Sequence, residues 1–328
     1  MNPANRPFGI AVHGGAGVTP RAEMTPERER ALRGALAASV SAGWAVLRDG
    51  GTGVSAVEAA IRVMEDSPLF NAGRGASFNR AGFHELDAAI MHGGTLAAGA
   101  VGAVRHIRNP IALARLVMER SPHVLMVAEG AEAFALEQGV PFAPASYFFT
   151  DHKWQSLQAR LEREAKATLA AARAAAVQAP AFDPGLAGTV GAVALDRAGN
   201  LAAGTSTGGR EGKLPGRLGD SPILGAGTYA SNDGCAVSCT GDGELVLRLC
   251  SAKEASDLVA LARRPLDEAA RAVVARVAAL DGSLGLVAID RRGAMAMPFT
   301  DEGMYRGCAK EDGVVLVGIY DEMREAEG

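Results

Sequence analysis

Histidine is missing from the C-terminal part of the chain. All six copies (His13, His84, His92, His106, His123 and His152) precede Thr189, and the 140 residues from Thr189 onward contain none. A general base from that part of the chain must therefore be some other group. Cysteine is equally sparse: Cys235, Cys239, Cys250 and Cys308 form no C-x-x-C pair and lie far along the chain from the histidines. A zinc site has no sequence support, and buried or free thiols in a reducing compartment are expected. Basic excess is also lacking. The 33 Lys+Arg stand against 37 Asp+Glu, a formal charge of −4, which argues against a nucleic acid or an anionic membrane as partner. No apolar run approaches the roughly 20 residues that span a bilayer. The opening MNPANRPFGIAVHGG carries no signal-peptide core, so a cytoplasmic location is expected. No H-E-x-x-H, G-x-x-x-x-G-K-[ST] or G-x-G-x-x-G pattern occurs, which leaves zincin, P-loop and dinucleotide chemistry without a motif.

Glycine is what the chain has in excess. Its 41 copies among 328 residues are about 12%, against roughly 7% in average usage. Many sit beside apolar runs, where glycine lets two backbones or a backbone and a ligand approach closely. With 48% hydrophobic and 21% charged residues, the chain is a folded protein, read here as one domain over 1–328.

The pattern predicts a strand over Gly9–His13 running into Gly14-Gly15-Ala16-Gly17. Thr25 then caps a helix with Pro26 in its first position, ended by Asp49-Gly50-Gly51. A second helix is expected over Val54–Glu65, with Ser55 and Glu58 as a capping box. Strands follow at Leu86–Met91 and Ala98–Val104, a helix from Pro110 to Met118, and a strand at His123–Ala128. The run from Trp154 to Gln178, rich in Ala, Glu, Lys and Arg, predicts a helix with a thin apolar stripe. It passes into a Pro/Ala/Gly segment, and 154–188 as a whole is expected to be a mobile linker. Order resumes at Thr189-Val190-Gly191-Ala192, paired through a turn at 197–200 with a strand at Leu201–Thr205. Strands at Ala236–Thr240, Gly285–Ile289 and Val314–Gly318, and helices at Lys253–Ala262 and Leu266–Leu280, give a mixture of sheets covered by helices.

A linker ending in Gly188-Thr189 and turning at once into a strand has a chemical use. A threonine with a free α-amino group can be nucleophile and base together. A hydroxyl alone is a poor nucleophile at neutral pH, whereas an α-amine has an ordinary pKa near 7.7–8.0. That supplies a proton acceptor where histidine is missing. The amine exists only if the Gly188–Thr189 bond is cut. Arg217 and Asp220 form a second suggestive pair: a guanidinium fork and a carboxylate three residues apart suit a ligand carrying both an α-carboxylate and an α-ammonium.

Around these lie His13-Gly14-Gly15-Ala16-Gly17, Phe70-Asn71-Ala72-Gly73-Arg74-Gly75, His84-Glu85-Leu86-Asp87-Ala88, Thr205-Ser206-Thr207-Gly208-Gly209, Lys213-Leu214-Pro215-Gly216-Arg217 and Ser238-Cys239-Thr240-Gly241-Asp242-Gly243. In this order, from Ile10 to about Tyr320, they resemble the plant-type L-asparaginase/isoaspartyl peptidase family of N-terminal-nucleophile hydrolases. The resemblance implies an α+β fold, a four-layer αββα sandwich. It implies self-cleavage between Gly188 and Thr189 into an α subunit, 1–188, and a β subunit, 189–328. Thr189 would then be the nucleophile, Thr207 its hydroxyl partner, and Thr240 with Gly241 the oxyanion hole. Asn71 would stand near the nucleophile. Arg217 and Asp220, with Gly241 and Gly243, would bind the aspartyl group.

The resemblance further implies a structural sodium ion on the backbone carbonyls of Met64, Glu65, Ser67, Phe70, Ala72 and Arg74, no organic cofactor, and a dimer of αβ heterodimers. The substrates implied are small molecules, L-asparagine and β-aspartyl dipeptides. Ser67 stands where some relatives have Cys, and Arg74, in place of an aliphatic residue, would put a cation near the site mouth. Asp242 is acidic where small polar residues are familiar. Glycosylasparaginase, a taspase-type endoprotease and a non-catalytic ligand-binding protein are the alternatives. The Lys213–Arg217 motif and the missing secretory signal favour the asparaginase side over the first, and the lack of a longer insertion before Thr189 disfavours the second.

Overall fold

The computed structural model describes residues 6–173 and 188–326. Strand β1, Gly9–Ala16, leads into helix α1, Pro26–Arg48, and helix α2, Gly53–Glu65. Thr25 caps α1 by accepting from the Arg28 N–H, and Leu32, Leu36, Val40 and Leu47 form its buried stripe. The cap of α2 lies three residues before the predicted one. Thr52 accepts from the Ser55 N–H, while Glu58 bonds Arg115. Gly53 directly after the cap hides the helix start, because glycine is a poor helix former whose neighbours read as loop.

Strands β2, Leu86–His92, and β3, Ala98–Val104, helix α3, Pro110–Arg120, and strand β4, Leu125–Val127, come next. Three helices follow: α4, Ala128–Glu137, α5, Ala145–Phe148, and α6, Asp151–Arg173. The start of α6 is docked on the loop after residue 77. Leu157 is buried, Trp154 meets Phe78 edge-on, and Lys153 Nζ donates to Ser77 Oγ. The rest of the expected mobile segment, 174–187, lies outside the described residues.

Beyond it stand β5, Val190–Leu195, β6, Leu201–Thr207, β7, Thr228–Ala230, and β8, Cys235–Gly241. Helices α7, Gly243–Leu249, α8, Ser251–Ala260, and α9, Leu266–Ala278, precede β9, Leu284–Asp290, β10, Met295–Ala296, β11, Met304–Ala309, β12, Leu316–Gly318, and β13, Met323–Glu325.

Two sheets result. The larger runs β13-β12-β11-β1-β5-β6-β2-β3-β4 and the smaller β10-β9-β8-β7. All pairings are antiparallel except β3 with β4. Alternation along β1 sorts its side chains. Ile10 and Val12 join a core shared with α1, α2 and α3, whereas Ala11 joins an apolar cluster with Val287 and Ile289 of the other sheet. A third cluster packs α8 and α9 under β8 and β9. Each fully buried aliphatic side chain in these clusters contributes roughly 1.5–3 kcal/mol. The fold is α+β.

All four cysteines are free thiols, three of them buried, as the sequence leads one to expect. Burial pushes the Cys235 thiol up to about 12, which leaves it inert at neutral pH. Among the described residues no helix is long and apolar enough to cross a membrane, and no cluster of His, Cys, Asp or Glu could hold a metal ion.

Candidate active site

The ends of β1, β5, β6 and β8 converge on a cavity of about 880 Å³; the glycine run expected as a loop after His13 continues β1 to Ala16 through a register shift between His13 and Gly15. Thr189, one residue before β5, is buried at its floor, and its Oγ1 donates to Thr207 Oγ1 at 3.2 Å. Thr207 in turn accepts from the Gly209 N–H at 2.9 Å, which fixes the rotamer that presents its oxygen. Thr189, Thr207, Arg217, Asp220, Gly241 and Gly243 all line the cavity. Gly188 is half-buried at its edge. A side chain at Gly15, where φ is +116°, would lie 2.7 Å from the Gly188 Cα and 3.3 Å from the Thr189 nitrogen. Only glycine allows the end of β1 so close to the Gly188–Thr189 peptide bond.

Thr240 and Asn71 stand just behind this wall. Thr240 is fully buried and accepts from the Ala16 N–H at 3.2 Å, so its own proton is free to turn toward the cavity. Asn71 is engaged at both ends of its amide: Nδ2 donates to the Gly209 carbonyl at 2.7 Å, and Oδ1 accepts from the Ser77 N–H at 2.7 Å. Its Cβ lies 3.3 Å from where a Gly188 Cβ would be. The residue braces the strand end that carries Thr207.

The expected substrate clamp has a different character. Asp220 is buried, and its Oδ2 has no hydrogen-bond partner. Burial pushes its carboxyl up to about 7, against the opposing pull of Arg217. The Arg217 fork is already occupied, since Nε and Nη2 donate to the two Glu244 oxygens at 3.0 and 2.9 Å. Gly243 is what lets the clamp close. A Cβ there would sit 2.8 Å from Arg217 Nη2 and 2.9 Å from Asp220 Oδ1. Asp242, beside it, is half-buried, with its carboxyl held above the usual range by burial and by Glu244.

Several supporting residues escape a motif-led reading. Glu244 has no signal beyond its place directly after the glycines. Lys213 and Asp87 form a buried ion pair at 3.5 Å, and Lys213 Nζ donates to the Glu85 carbonyl at 2.8 Å. Glu85 Oε1 accepts from the Gly216 N–H, so this frame holds the loop carrying Arg217. The run Gly204-Thr205-Ser206-Thr207-Gly208 spells the G-x-S-x-G of hydrolase nucleophile elbows. Ser206, however, lies within strand β6 and donates to buried Glu65 at 2.6 Å, so it is no elbow. Arg74, expected near the site mouth, is exposed in a short turn and is not among the residues lining the cavity.

A family model described as Asparaginase matches residues 6–319. The chain belongs to the asparaginase family. Among curated members, the isoaspartyl peptidase of Escherichia coli is 48% identical over 314 residues, covering 95% of this chain and 96% of that protein. The isoaspartyl peptidase of Salmonella typhimurium is 47% identical, covering 95% and 98%. The probable isoaspartyl peptidase/L-asparaginase 2 of Arabidopsis thaliana is 41% identical over 329 residues, covering 96% and 99%. The asparaginase family assignment thus spans both sides of Thr189 and every residue of the cavity.

Proposed function

We propose that this chain is an isoaspartyl peptidase/L-asparaginase, an autoprocessing hydrolase that cleaves L-asparagine and β-aspartyl dipeptides through Thr189. The observation that carries the reading is the Thr189–Thr207 hydroxyl pair at 3.2 Å in the same cavity as Asp220 and Arg217. In the first step the Thr189 hydroxyl adds to the Gly188 carbonyl, the peptide nitrogen leaves, and water hydrolyses the resulting ester. The products are the Gly188 carboxylate and the Thr189 α-amine. That amine then takes the hydroxyl proton, and Oγ1 adds to the amide carbonyl of the substrate side chain. The oxyanion faces the Thr240 hydroxyl and the Gly241 N–H; one such donor is typically worth on the order of 10²–10³ in rate. Collapse expels ammonia or an amino acid, which takes the proton back, and water releases aspartate from the acyl-enzyme. Asp220 receives the substrate ammonium and Arg217 the carboxylate, the guanidinium exchanging Glu244 for substrate.

The fold reads as the four-layer αββα sandwich of N-terminal-nucleophile hydrolases: α1 to α3, the large sheet, the small sheet, then α8 and α9. The dimer of αβ heterodimers belongs to the same proposal, and sedimentation of the mature protein tests it.

The sodium loop is compatible with its proposed ion. Cβ atoms at Gly73 and Gly75 would run into the carbonyl oxygens of Glu65 and of Phe70, so these oxygens crowd the inside of the loop. The Ala72 carbonyl accepts one backbone N–H, which leaves it a second lone pair. A set of backbone carbonyls suits a hard cation. Met64, Glu65, Ser67, Phe70, Ala72 and Arg74 would supply it, and its part would be to stiffen the loop that carries Asn71.

Intact mass with N-terminal sequencing after a day at pH 7.5, followed by assay with β-aspartyl-leucine and L-asparagine, tests the reading. Two chains, the smaller beginning Thr-Val-Gly-Ala, with aspartate released, are expected. A single chain that releases no aspartate overturns it and leaves the ligand-binding alternative.

A further inference from the structure

Behind Thr189, on the side away from the cavity, lies a buried chain of polar groups that the chemistry above does not use. It runs between the two sheets through β1, β8, β6 and β7. His13 is fully buried, with Nδ1 3.0 Å from the Thr189 carbonyl oxygen and Nε2 2.8 Å from Ser238 Oγ. Ser238 Oγ is 2.7 Å from Thr205 Oγ1, and Thr228 Oγ1 is 2.6 Å from Thr205 Oγ1 and 3.0 Å from the Ser221 carbonyl.

Donor and acceptor bookkeeping fixes the direction at the nucleophile end. A carbonyl only accepts, so the His13 Nδ1 carries the proton. Burial depresses the imidazole to about 3, so the ring is neutral and Nε2 is a bare lone pair. The Ser238 hydroxyl must therefore donate to Nε2, and its oxygen is left to accept from Thr205, which in turn accepts from Thr228. The fold makes room for this joint at one residue. Gly191 pairs with His13 across β1 and β5, and a Cβ on it would collide with both Ser238 Oγ and His13 Nε2.

We infer that His13, fixed as its Nδ1–H tautomer by the Thr189 carbonyl and seated from behind by the Ser238–Thr205–Thr228 hydroxyl chain, is a positioning residue that holds that carbonyl and thereby aims the α-amine and hydroxyl of the mature nucleophile. The inference rests on Thr189 being that nucleophile. Cleavage at Gly188 removes the covalent restraint on one side of Thr189 and leaves His13 in one chain, while Thr189 and the three hydroxyls are in the other. The His13–Thr189 bond then ties the new N-terminus to strand β1, which flanks it. His13 touches no substrate atom, so its loss alters the geometry of attack and leaves the Arg217–Asp220 clamp in place. A misplacement near 1 Å costs on the order of 10² in rate.

Two substitutions separate the two halves of the joint. His13→Asn puts its amide where Nδ1 was and keeps the tie to Thr189, whereas His13→Gln reaches Ser238 and loses that tie. Ser238→Ala removes one hydroxyl and leaves Nε2 without a donor, so the ring loses the contact that seats it against the Thr189 carbonyl. In mature protein His13→Gln and Ser238→Ala are expected to lower kcat for β-aspartyl-leucine by about 10- to 100-fold with KM within about twofold, and His13→Asn to recover most of the loss. Wild-type kcat in both Ser238→Ala and His13→Gln overturns the inference. So does an Asn variant no better than Gln, or a fall in kcat that matches a fall in folded fraction by circular dichroism. An independent reading comes from ¹⁵N spectra of histidine-labelled wild-type protein. A protonated Nδ1 and an unprotonated Nε2 at His13 are expected, and the opposite tautomer overturns the relay whether or not the protein hydrolyses anything. Wild-type protein with this tautomer but no self-cleavage would instead sink the nucleophile assignment.

Discussion

At the Thr189 end of the cavity each buried hydroxyl and the imidazole behind it has a hydrogen-bond partner. On the clamp side of the same cavity, Asp220 keeps one buried carboxylate oxygen, Oδ2, with no partner, and Arg217 spends its fork on Glu244. The Thr189 end asks nothing of the substrate: its hydroxyls and the imidazole behind them are paired within the protein and uncharged. The clamp end is electrically unfinished. A buried carboxylate oxygen without a partner costs stability, and under the proposed function that cost is recovered when the substrate ammonium arrives. Such a division is what differential binding needs, with reacting groups fixed in advance and recognition energy withheld until a zwitterion is bound.

Removing the nucleophile is the strongest way to break this contrast. Thr189→Ala should abolish self-cleavage and hydrolysis together while leaving the clamp intact. Isothermal titration with L-aspartate would still show binding, and surviving cleavage at Gly188 would overturn the mechanism.

Asp220 comes next. Asp220→Asn removes the charge that meets the substrate ammonium, and kcat/KM should fall about 10²-fold or more. The pH profile sharpens the point. With its carboxyl raised to about 7, free enzyme loses the anionic form as pH falls through 7. The α-amine also protonates as pH falls, and only the free base is active. In kcat/KM the acid limb should therefore approach a slope of two, whereas in kcat, where substrate holds Asp220 ionised, it should have a slope of one. Equal slopes would mean that Asp220 does not titrate in the free enzyme.

Much of this can be read from the chain before folding, and the contrast explains what cannot. The nucleophile and clamp sit in runs of glycine, threonine and charge that stand out locally. The helix from Thr25, the strands at 86–104 and the hairpin after Thr189 carry their own periodicity and caps. The relay behind Thr189 draws one residue from each of β1, β6, β7 and β8, and no local pattern links His13 to Ser238. Parity along β1 is the one hint, since His13 shares with Ala11 the face turned to the second sheet. Strand β11, which flanks β1, is hidden because Met304-Tyr305-Arg306-Gly307-Cys308-Ala309 lacks alternation, its Arg306 being buried against backbone carbonyls. The expectation that Arg74 faces the site mouth fails for a similar reason: a turn direction, which sequence does not specify, points that side chain to solvent.

The clamp can be probed more gently at Arg217. Arg217→Lys exchanges a bidentate fork for a point charge, so KM for β-aspartyl dipeptides should rise about tenfold or more with kcat less affected. An unchanged KM would make Arg217 structural. Glu244→Gln tests the same bond from its other side. Glu244 is half exposed, so its pairing is worth little in stability. Its loss should leave the melting temperature within a degree or two and shift KM less than Arg217→Lys does.

The smallest effect expected is on stability, and it falls on the nucleophile side, beneath the sheet. Glu65 is fully buried, with its carboxyl pushed up to about 8 chiefly by burial. It accepts from Ser206 beside Thr207 and from Ile111 at the start of α3. In the unfolded chain it ionises near the ordinary carboxylate value, so between about pH 4.5 and 8 the folded state holds a proton that the unfolded state has lost. Its contribution is thus fully present below about pH 4.5 and is lost as pH rises through 8, by at most about 1.4 kcal/mol per pH unit. Glu65→Gln keeps the shape and cannot titrate. The melting temperature of wild type relative to Glu65→Gln should therefore drop by a few degrees between about pH 5 and pH 8. A difference that stays flat would mean that Glu65 is ionised in the folded protein. The polar chemistry beneath Thr207 would then be charged, and the neutrality that distinguishes the nucleophile end from the clamp would stop at the cavity wall.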